Sequence, residues 1–331
     1  MKEDLHQREM SQPPLALHRF AVVCVVATFA LIFVGGLVTS TGSALAVPDW
    51  PLAYGHLIPK LEGGVRFEYG HRVVAGIVVI LTTILAIWSW YAEPRRWVRN
   101  VAFAALGLVV VQAILGGITV LLLLPLAIAV AHAATAQAFF CLIVAMAVFT
   151  NAKFCAAVSV SADNPPHIVR LGAITTVVVY LQILIGAVMR HLEAGLAIPD
   201  FPLSFGQWVP PFSSIYVDVN FAHRCGALVV ASFVIFLAIR VLSSRSETYL
   251  RAPAFGLLIL LIIQITLGAL TIWSGRAVIP TTTHVAVGAA LLATCVTLTL
   301  RASALEDLAW AGEADKVRDN LQRVIERKVT V

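Results

Sequence analysis

Four of the nine histidines in this 331-residue chain fall into a repeated pattern. His71 and His223 each precede an arginine, in the segments EYGHR and NFAHR, while His132 and His284 stand alone in apolar sequence. His223 and His284 follow His71 and His132 by the same interval, 152 residues. A polar ring inside an apolar bundle requires a partner. Two helices that each aim an imidazole inward at one depth suit bis-imidazole ligation of heme iron. Zinc fits less well, because no second His, Cys or carboxylate lies at ligand spacing beside any of the four. Glu68 precedes His71 by three residues and shares its face if the helix has already begun there; Asn220 holds the matching place before His223. That asymmetry suggests chemistry in one half and electron transfer or structure in the other. Arg72 and Arg224 suit heme propionates or an interfacial position with the charge reaching for water. His6, His18 and His167 read as solvated, and His56 and His191 have no repeat partner.

The elements that must carry these residues follow from composition. Hydrophobic residues make up 60% of the chain and charged residues only 12%, against about 25% charged in a soluble domain. The 41 charged residues cluster between long apolar runs, which excludes soluble enzymes, disulfide scaffolds and disordered proteins. Eight runs approach the ~20 residues a bilayer requires, near 19–40, 72–91, 101–122, 127–149, 168–190, 223–242, 253–273 and 280–300. Unbroken runs without alternation mean helices, since every backbone group in lipid must be paired internally. Pro125 divides the third run from the fourth. Of the 23 Lys and Arg, 17 fall on the side of the termini, which predicts that both termini are cytoplasmic and the four histidines near the periplasmic side. Anionic lipid explains the net charge of +5 with no nucleic-acid partner. The acidic residues of MKEDLHQREM argue against a cleaved leader, and a bacterial inner membrane is the expected location.

The two long outer loops expose an internal repeat. GSALAVPDWPLAYGHLIP at 42–59 matches EAGLAIPDFPLSFGQWVP at 193–210, and the match continues through Gln112 with Gln264, Gly116 with Gly268 and Thr119 with Thr271. The expected fold is an all-α polytopic membrane protein of eight transmembrane helices, built as two tandem parallel four-helix bundles. Its parts are an N-terminal segment 1–18, a first half 19–150, a linker 151–167, a second half 168–301 and a basic tail 302–331. None of the five cysteines (Cys24, Cys141, Cys155, Cys225, Cys295) lies in an outer loop, so they read as small buried hydrophobes. Gly35, Gly36, Gly116, Gly117 and Gly186 read as sites of close helix packing.

Together the two four-span halves, the EYGHR and NFAHR segments, the lone histidines of spans four and eight and the Pro-Asp-aromatic-Pro-Leu loops resemble the heme A synthase family. The resemblance covers roughly 20–300 and leaves out the tail. It implies oxidation of the C8 methyl group of heme O to the formyl group of heme A, which terminal oxidases use. It would make His223 and His284 the ligands of a heme b cofactor and place substrate heme O between His71 and His132, with Glu68 catalytic. Many bacterial members carry a cysteine pair in the first outer loop; this chain does not, which resembles a thiol-independent subtype. The implied partners are a heme O-producing farnesyltransferase, an electron acceptor and further copies of the chain. A diheme b-type electron-transfer protein and a non-catalytic heme carrier are the alternative readings, and a symmetric electron wire would not need the Glu68/Asn220 difference. Topology is directly testable. Reporter fusions at Arg96, Asn164 and Ser246 should read cytoplasmic and one at Gly63 periplasmic; one reversed reading would undo the common depth of the histidines.

Overall fold

The computed structural model describes residues 13–157, 167–243 and 248–329, with side chains described as far as Ala304. Parts of the expected N-terminal segment (1–12), the linker (158–166) and the sixth connection (244–247) lie outside the described residues, as do His6, Asn164 and Ser246. Eight long helices follow one another: α1 (Leu15–Ser40), α2 (Val65–Ala92), α3 (Arg96–Leu121), α4 (Leu126–Phe149), α5 (His167–His191), α6 (Ile215–Ser243), α7 (Thr248–Trp273) and α8 (Val278–Val329). All eight have a stretch long and apolar enough to cross a membrane, which in α8 ends at Ala304. The chain is an all-helical, multi-pass membrane protein; among the described residues the only extended pairings are two isolated bridges.

Proline marks several helix starts, where its missing N–H costs nothing. Pro14 precedes α1 and Pro125 precedes α4. The α3–α4 turn is tight enough to hold Leu123 and Leu124 at positive φ (58° and 60°), with Leu124 N–H donating back to the Thr119 carbonyl. Pro253 lies inside α7 and deprives the Tyr249 carbonyl of its helical donor; the Arg301 guanidinium of α8 donates to that carbonyl instead, at 3.1 Å.

Several boundaries differ from the sequence expectation, most of all at α2, α6 and the tail. Helices α2 and α6 begin at Val65 and Ile215, ahead of the apolar runs at 72 and 223, so Glu68 and Asn220 are helical residues. The expected tail from 302 continues α8 without a break to Val329.

One buried cluster joins Leu17, Leu85, Val109, Ile143 and their neighbours from α1 to α4. A second joins Ile168, Leu237, Leu257, Leu292 and others from α5 to α8. Between them α1, α4, α5 and α8 form the centre, with Phe140, Val144 and Ala289 at the seam. Tyr180 on α5 donates across it to the Ala134 carbonyl of α4 at 3.0 Å.

The repeated loop motif has a local physical cause. Asp49 accepts the Tyr54 and Gly55 amides at 2.6 and 2.8 Å, and Asp200 accepts the Phe205 and Gly206 amides at 2.7 and 2.8 Å. Each aspartate thereby fastens a tight turn, Ala53–His56 or Ser204–Gln207. Both central residues of each turn have positive φ, 53° and 72° in the first and 56° and 72° in the second, which is why the second is glycine. The first loop also lays Trp50 on α3, where a Cβ at Gly117 would meet the indole at 2.7 Å. The second copy has the smaller Phe201 and the larger Ala269 at the equivalent places.

The amide of Gly55, with that of Tyr54, holds the Asp49 carboxyl below its ordinary value, and Gly206 with Phe205 does the same for Asp200. A depressed carboxyl contributes stability above its unfolded value of about 3.9 and loses it as pH falls through the folded value. Hydrogen exchange at Tyr54 and Gly55, corrected for intrinsic rate, should therefore show protection that falls below about pH 4. Asp49→Ala should remove that protection at neutral pH without changing Phe205 and Gly206; unchanged protection would show that the carboxylate does not hold the turn.

Candidate functional site

The four repeated histidines lie near one end of the bundle, each within the first turns of an even-numbered helix: His71 on α2, His132 on α4, His223 on α6 and His284 on α8. They come together in pairs. The His223 and His284 rings are 6.4 Å apart between centroids and inclined at 69°. His71 and His132 lie within electrostatic reach of one another.

Room for each ring is made by a glycine on the preceding helix. A Cβ at Gly35 would lie 3.0 Å from His71, at Gly116 3.2 Å from His132, at Gly186 2.9 Å from His223 and at Gly268 3.2 Å from His284. Contacts below about 3.4 Å are tighter than nearly all real Cβ contacts, so an alanine would have to push the imidazole aside. The sequence suggested helix-to-helix packing for Gly35, Gly116 and Gly186; the structure sets these glycines against rings.

Glutamines supply the hydrogen-bonding partners. Gln112 Nε2 lies 3.2 Å from His132 Nε2 and donates to the His132 carbonyl at 3.0 Å, while Thr135 donates to Gln112 Oε1. Gln264 Nε2 lies 3.4 Å from His284 Nε2. Gln182 Nε2 lies 3.1 Å from His223 Nδ1 and donates to the His223 carbonyl at 2.7 Å. Leu31 holds the place of Gln182 in the first half, and His71 Nδ1 is buried without a hydrogen-bond partner. Gly226, beside Gln182, makes room for that amide, and Val74 replaces it in the first half.

Glu68 is 4% exposed. Its carboxylate accepts the Val47 amide at 2.8 Å and the Arg72 guanidinium at 2.7 Å. Arg72 donates further to the carbonyls of Asp49 (2.7 Å), Leu52 (2.9 Å) and Val47 (3.2 Å). Asn220 is 2% exposed and performs the same task with reversed polarity: its amide donates to the Ala194 carbonyl at 2.8 Å, and its oxygen accepts Arg224 Nε at 3.0 Å. Arg224 also holds the carbonyls of Leu203 and Ile198 at 2.8 and 3.0 Å. Both arginines thus fasten an outer loop to the helix that carries a histidine.

One family model and several curated relatives match most of the chain. The model described as cytochrome oxidase assembly protein, COX15-CtaA, matches residues 18–66 and 62–296. The chain belongs to the COX15-CtaA family. A relative from Staphylococcus haemolyticus named Heme A synthase is 31% identical over 262 residues, 75% of this chain and 83% of its own length. Relatives of the same name from Shouchella clausii and Listeria monocytogenes are 28% and 27% identical over 75% and 77% of this chain, and 83% and 85% of their own lengths.

For a COX15-CtaA chain the donor set at this end, two pairs of imidazoles, is of the kind that ligates heme iron. Imidazole nitrogens bind metal ions at about 2 Å, and the His223–His284 separation admits an atom bonded to both rings. His71 Nδ1 and His132 Nδ1 are buried without a hydrogen-bond partner, and both face the glycine of the preceding helix. Among the described residues no three of His, Cys, Asp and Glu gather as a metal cage; these histidines pair.

The sequence singled out the four histidines, Glu68 and Asn220, which the structure gathers at one end of the bundle, and left three features unmarked. Gln112 and Gln264 were visible as repeat positions without a role. Gln182 has no repeat partner, so only the structure reveals it. Arg190, at the end of α5, reaches across the seam to the Gly36 carbonyl at 2.6 Å and Ser40 Oγ at 2.8 Å. Next to it His191 lies within electrostatic reach of His132, whereas His56 is exposed in the first turn. His18, expected to be solvated, is half-buried and lies 3.1 Å from Asn151 Nδ2.

Glycine-to-alanine substitutions separate ring room from backbone effects. Gly107, with nothing within 4 Å of its Cβ position, should gain about 0.5–1 kcal/mol as alanine through helix propensity. Gly186→Ala should instead cost about 1–3 kcal/mol of overpacking and reduce heme retained on purification, read by visible absorption. Equal heme content in the two variants would mean that Gly186 does not set the position of His223.

Proposed function

We infer that this chain is a heme A synthase, an enzyme that oxidises the C8 methyl group of heme O to the formyl group of heme A. The observation that carries this is the set of two half-buried histidine pairs, each imidazole seated against a glycine of the neighbouring helix, in a chain of this family.

His223 and His284 would hold heme b, which supplies electron transfer when bound. Gln182 and Gln264 orient the two imidazoles through the contacts described above. His71 and His132 would receive substrate heme O through its iron. The first pair lacks the amide that steadies His223, which suits a site that must take up and release its occupant. Glu68 stands three residues before His71 on the same helix. Its carboxylate has the charge to stabilise a cation developing at the methyl carbon or to orient and deprotonate an attacking water. Arg72 already spends four N–H donors on Glu68 and the loop, so a propionate would be left its Nε; Arg224 retains one proton on each terminal nitrogen. These arginines set the shape of the site first and would contact propionates second.

The lysine and arginine distribution supports a bacterial inner membrane with both termini cytoplasmic and the histidine ends toward the periplasm. Lipid-soluble heme O would then arrive from within the membrane, from a farnesyltransferase that makes it. Electrons would pass to a separate acceptor, and association with further copies of the chain is part of the same reading.

Glu68→Gln tests the assignment. The substitution keeps size and removes charge, and it sets an amide N–H against Arg72, so the loop should loosen as well. If the charge acts only in the transition state, substrate heme should still bind while turnover falls by about 10²–10³-fold. Heme O or a hydroxylated intermediate should accumulate, with heme b in the second half retained. The measurement is the heme O to heme A ratio at matched protein level in membranes supplied with heme O. A normal ratio would remove Glu68 from the chemistry and leave the histidine pairs standing.

A further inference from the structure

At the end of the bundle opposite the repeated histidines, α1, α4, α7 and α8 part to leave a cavity of about 390 Å³ at the seam between the halves. Its inner wall is apolar, formed by Val22, Val25, Val144 and Ala293 among others. Its polar side chains are His18, Asn151, Tyr249 and Arg301 at the mouth, and Thr294 and Thr297, whose hydroxyls donate to the Ala290 and Ala293 carbonyls of their own helix. This division into an apolar shaft and a cationic, hydrogen-bonding mouth is the shape of an amphiphile.

Arg301 decides the sign of the ligand. One terminal nitrogen donates to the Tyr249 carbonyl that Pro253 leaves open, and the guanidinium lies 4.4 Å from the Tyr249 ring centre. Helix repair therefore accounts for one side of the group. Its Nε is buried and has no hydrogen-bond partner, and no carboxylate among the described residues pairs with it. Nε is sealed from the cavity, but the second terminal nitrogen of the guanidinium bonds to no described residue, and a cation at membrane depth requires a counter-charge. His18 is already placed against Thr150 and Asn151, at 3.4 and 3.1 Å, so the mouth has a fixed polar wall.

We propose that this cavity binds an anionic phospholipid, with the headgroup phosphate at the Arg301 guanidinium and the upper part of one acyl chain against the valines. Basic pockets between membrane helices take such headgroups, and a guanidinium matches phosphate oxygens in charge and geometry. The volume is too small for a whole lipid, so most of the chains remain in the bilayer. Because α1 and α4 belong to the first half and α7 and α8 to the second, the bound lipid bridges both halves. The inference does not depend on the heme assignment; its site lies at the opposite end of the bundle.

Thermal unfolding of the full-length protein in neutral detergent tests it, with three additions: phosphatidylglycerol, phosphatidylcholine of the same acyl chains, and inorganic phosphate. Phosphatidylglycerol should raise Tm in a concentration-dependent way, with little response to the other two. Arg301→Gln should abolish that difference, and Val22→Trp, which fills the shaft and leaves the cation in place, should abolish it independently. The visible spectrum of bound heme should be unchanged in both variants. An equal rise with phosphatidylcholine would reduce the effect to ordinary solvation by lipid and overturn the proposal. An equal rise with phosphate would make this a free-anion site, with no place for the chain. A full phosphatidylglycerol response in folded Val22→Trp would also overturn it, even if Arg301→Gln fails to fold.

Discussion

An imidazole buried between helices in lipid needs both room and a hydrogen-bonding partner, and neither comes from an apolar helix surface. Much of the first turns of this bundle is arranged around meeting the first demand four times and the second three times. Gly35, Gly116, Gly186 and Gly268 supply the room, each from the helix that precedes its histidine. Gln112, Gln182 and Gln264 supply polar partners. A glycine inside a helix costs roughly 0.5–1 kcal/mol relative to alanine, so four of them at the places where rings arrive is a cost with a specific return. The imidazole is what that return consists of.

The same end of the bundle must hold its two long loops, and there the solution is electrostatic. Arg72 and Arg224 gather loop carbonyls that no helix or sheet would satisfy. Asp49 and Asp200 gather the amides of the turn beyond. Each loop is thereby tied at its acceptors by an arginine and at its donors by an aspartate. In the first loop the two ties meet, since Arg72 binds the carbonyl of Asp49 itself. Because each arginine follows its histidine directly in sequence, fastening the loop also fixes the turn of helix that aims the ring.

What was legible in the sequence follows from which physics leaves a linear trace. Repetition does, and it picked out His71, His132, His223 and His284 before any fold was known. Apolar length does, and it located all eight helices. Hydropathy reports where lipid begins, however, while a helix can begin earlier in polar sequence; Val65 to Gly70 and Ile215 to Ala222 were therefore read as loop. The same bias detached the tail from α8, although its alanine-, glutamate- and arginine-rich sequence favours helix. Glycine announces only that something comes close, and its partner could as well have been a helix as a ring. Gln182 left no trace because its counterpart is Leu31, and a difference between repeats has no meaning until its neighbours are known.

Those differences are what the proposed division of labour between the halves rests on. Asn220 holds Arg224 and its loop with a neutral amide, so an amide at this place is sufficient for the architectural task. Glu68 performs that task with a full charge in a residue only 4% exposed, and burying a carboxylate is expensive even when it is paired. Arg72 does not require it, since Arg224 stands in the same position without any carboxylate and is held by two loop carbonyls and the amide oxygen. The charge is therefore more than the fold needs. It occurs in the half whose histidine lacks a steadying glutamine, beside His71 with its unpartnered Nδ1. A half with a fixed imidazole and a neutral neighbour suits a resident group. A half with a looser imidazole and a buried carboxylate suits an occupant that arrives, reacts and leaves.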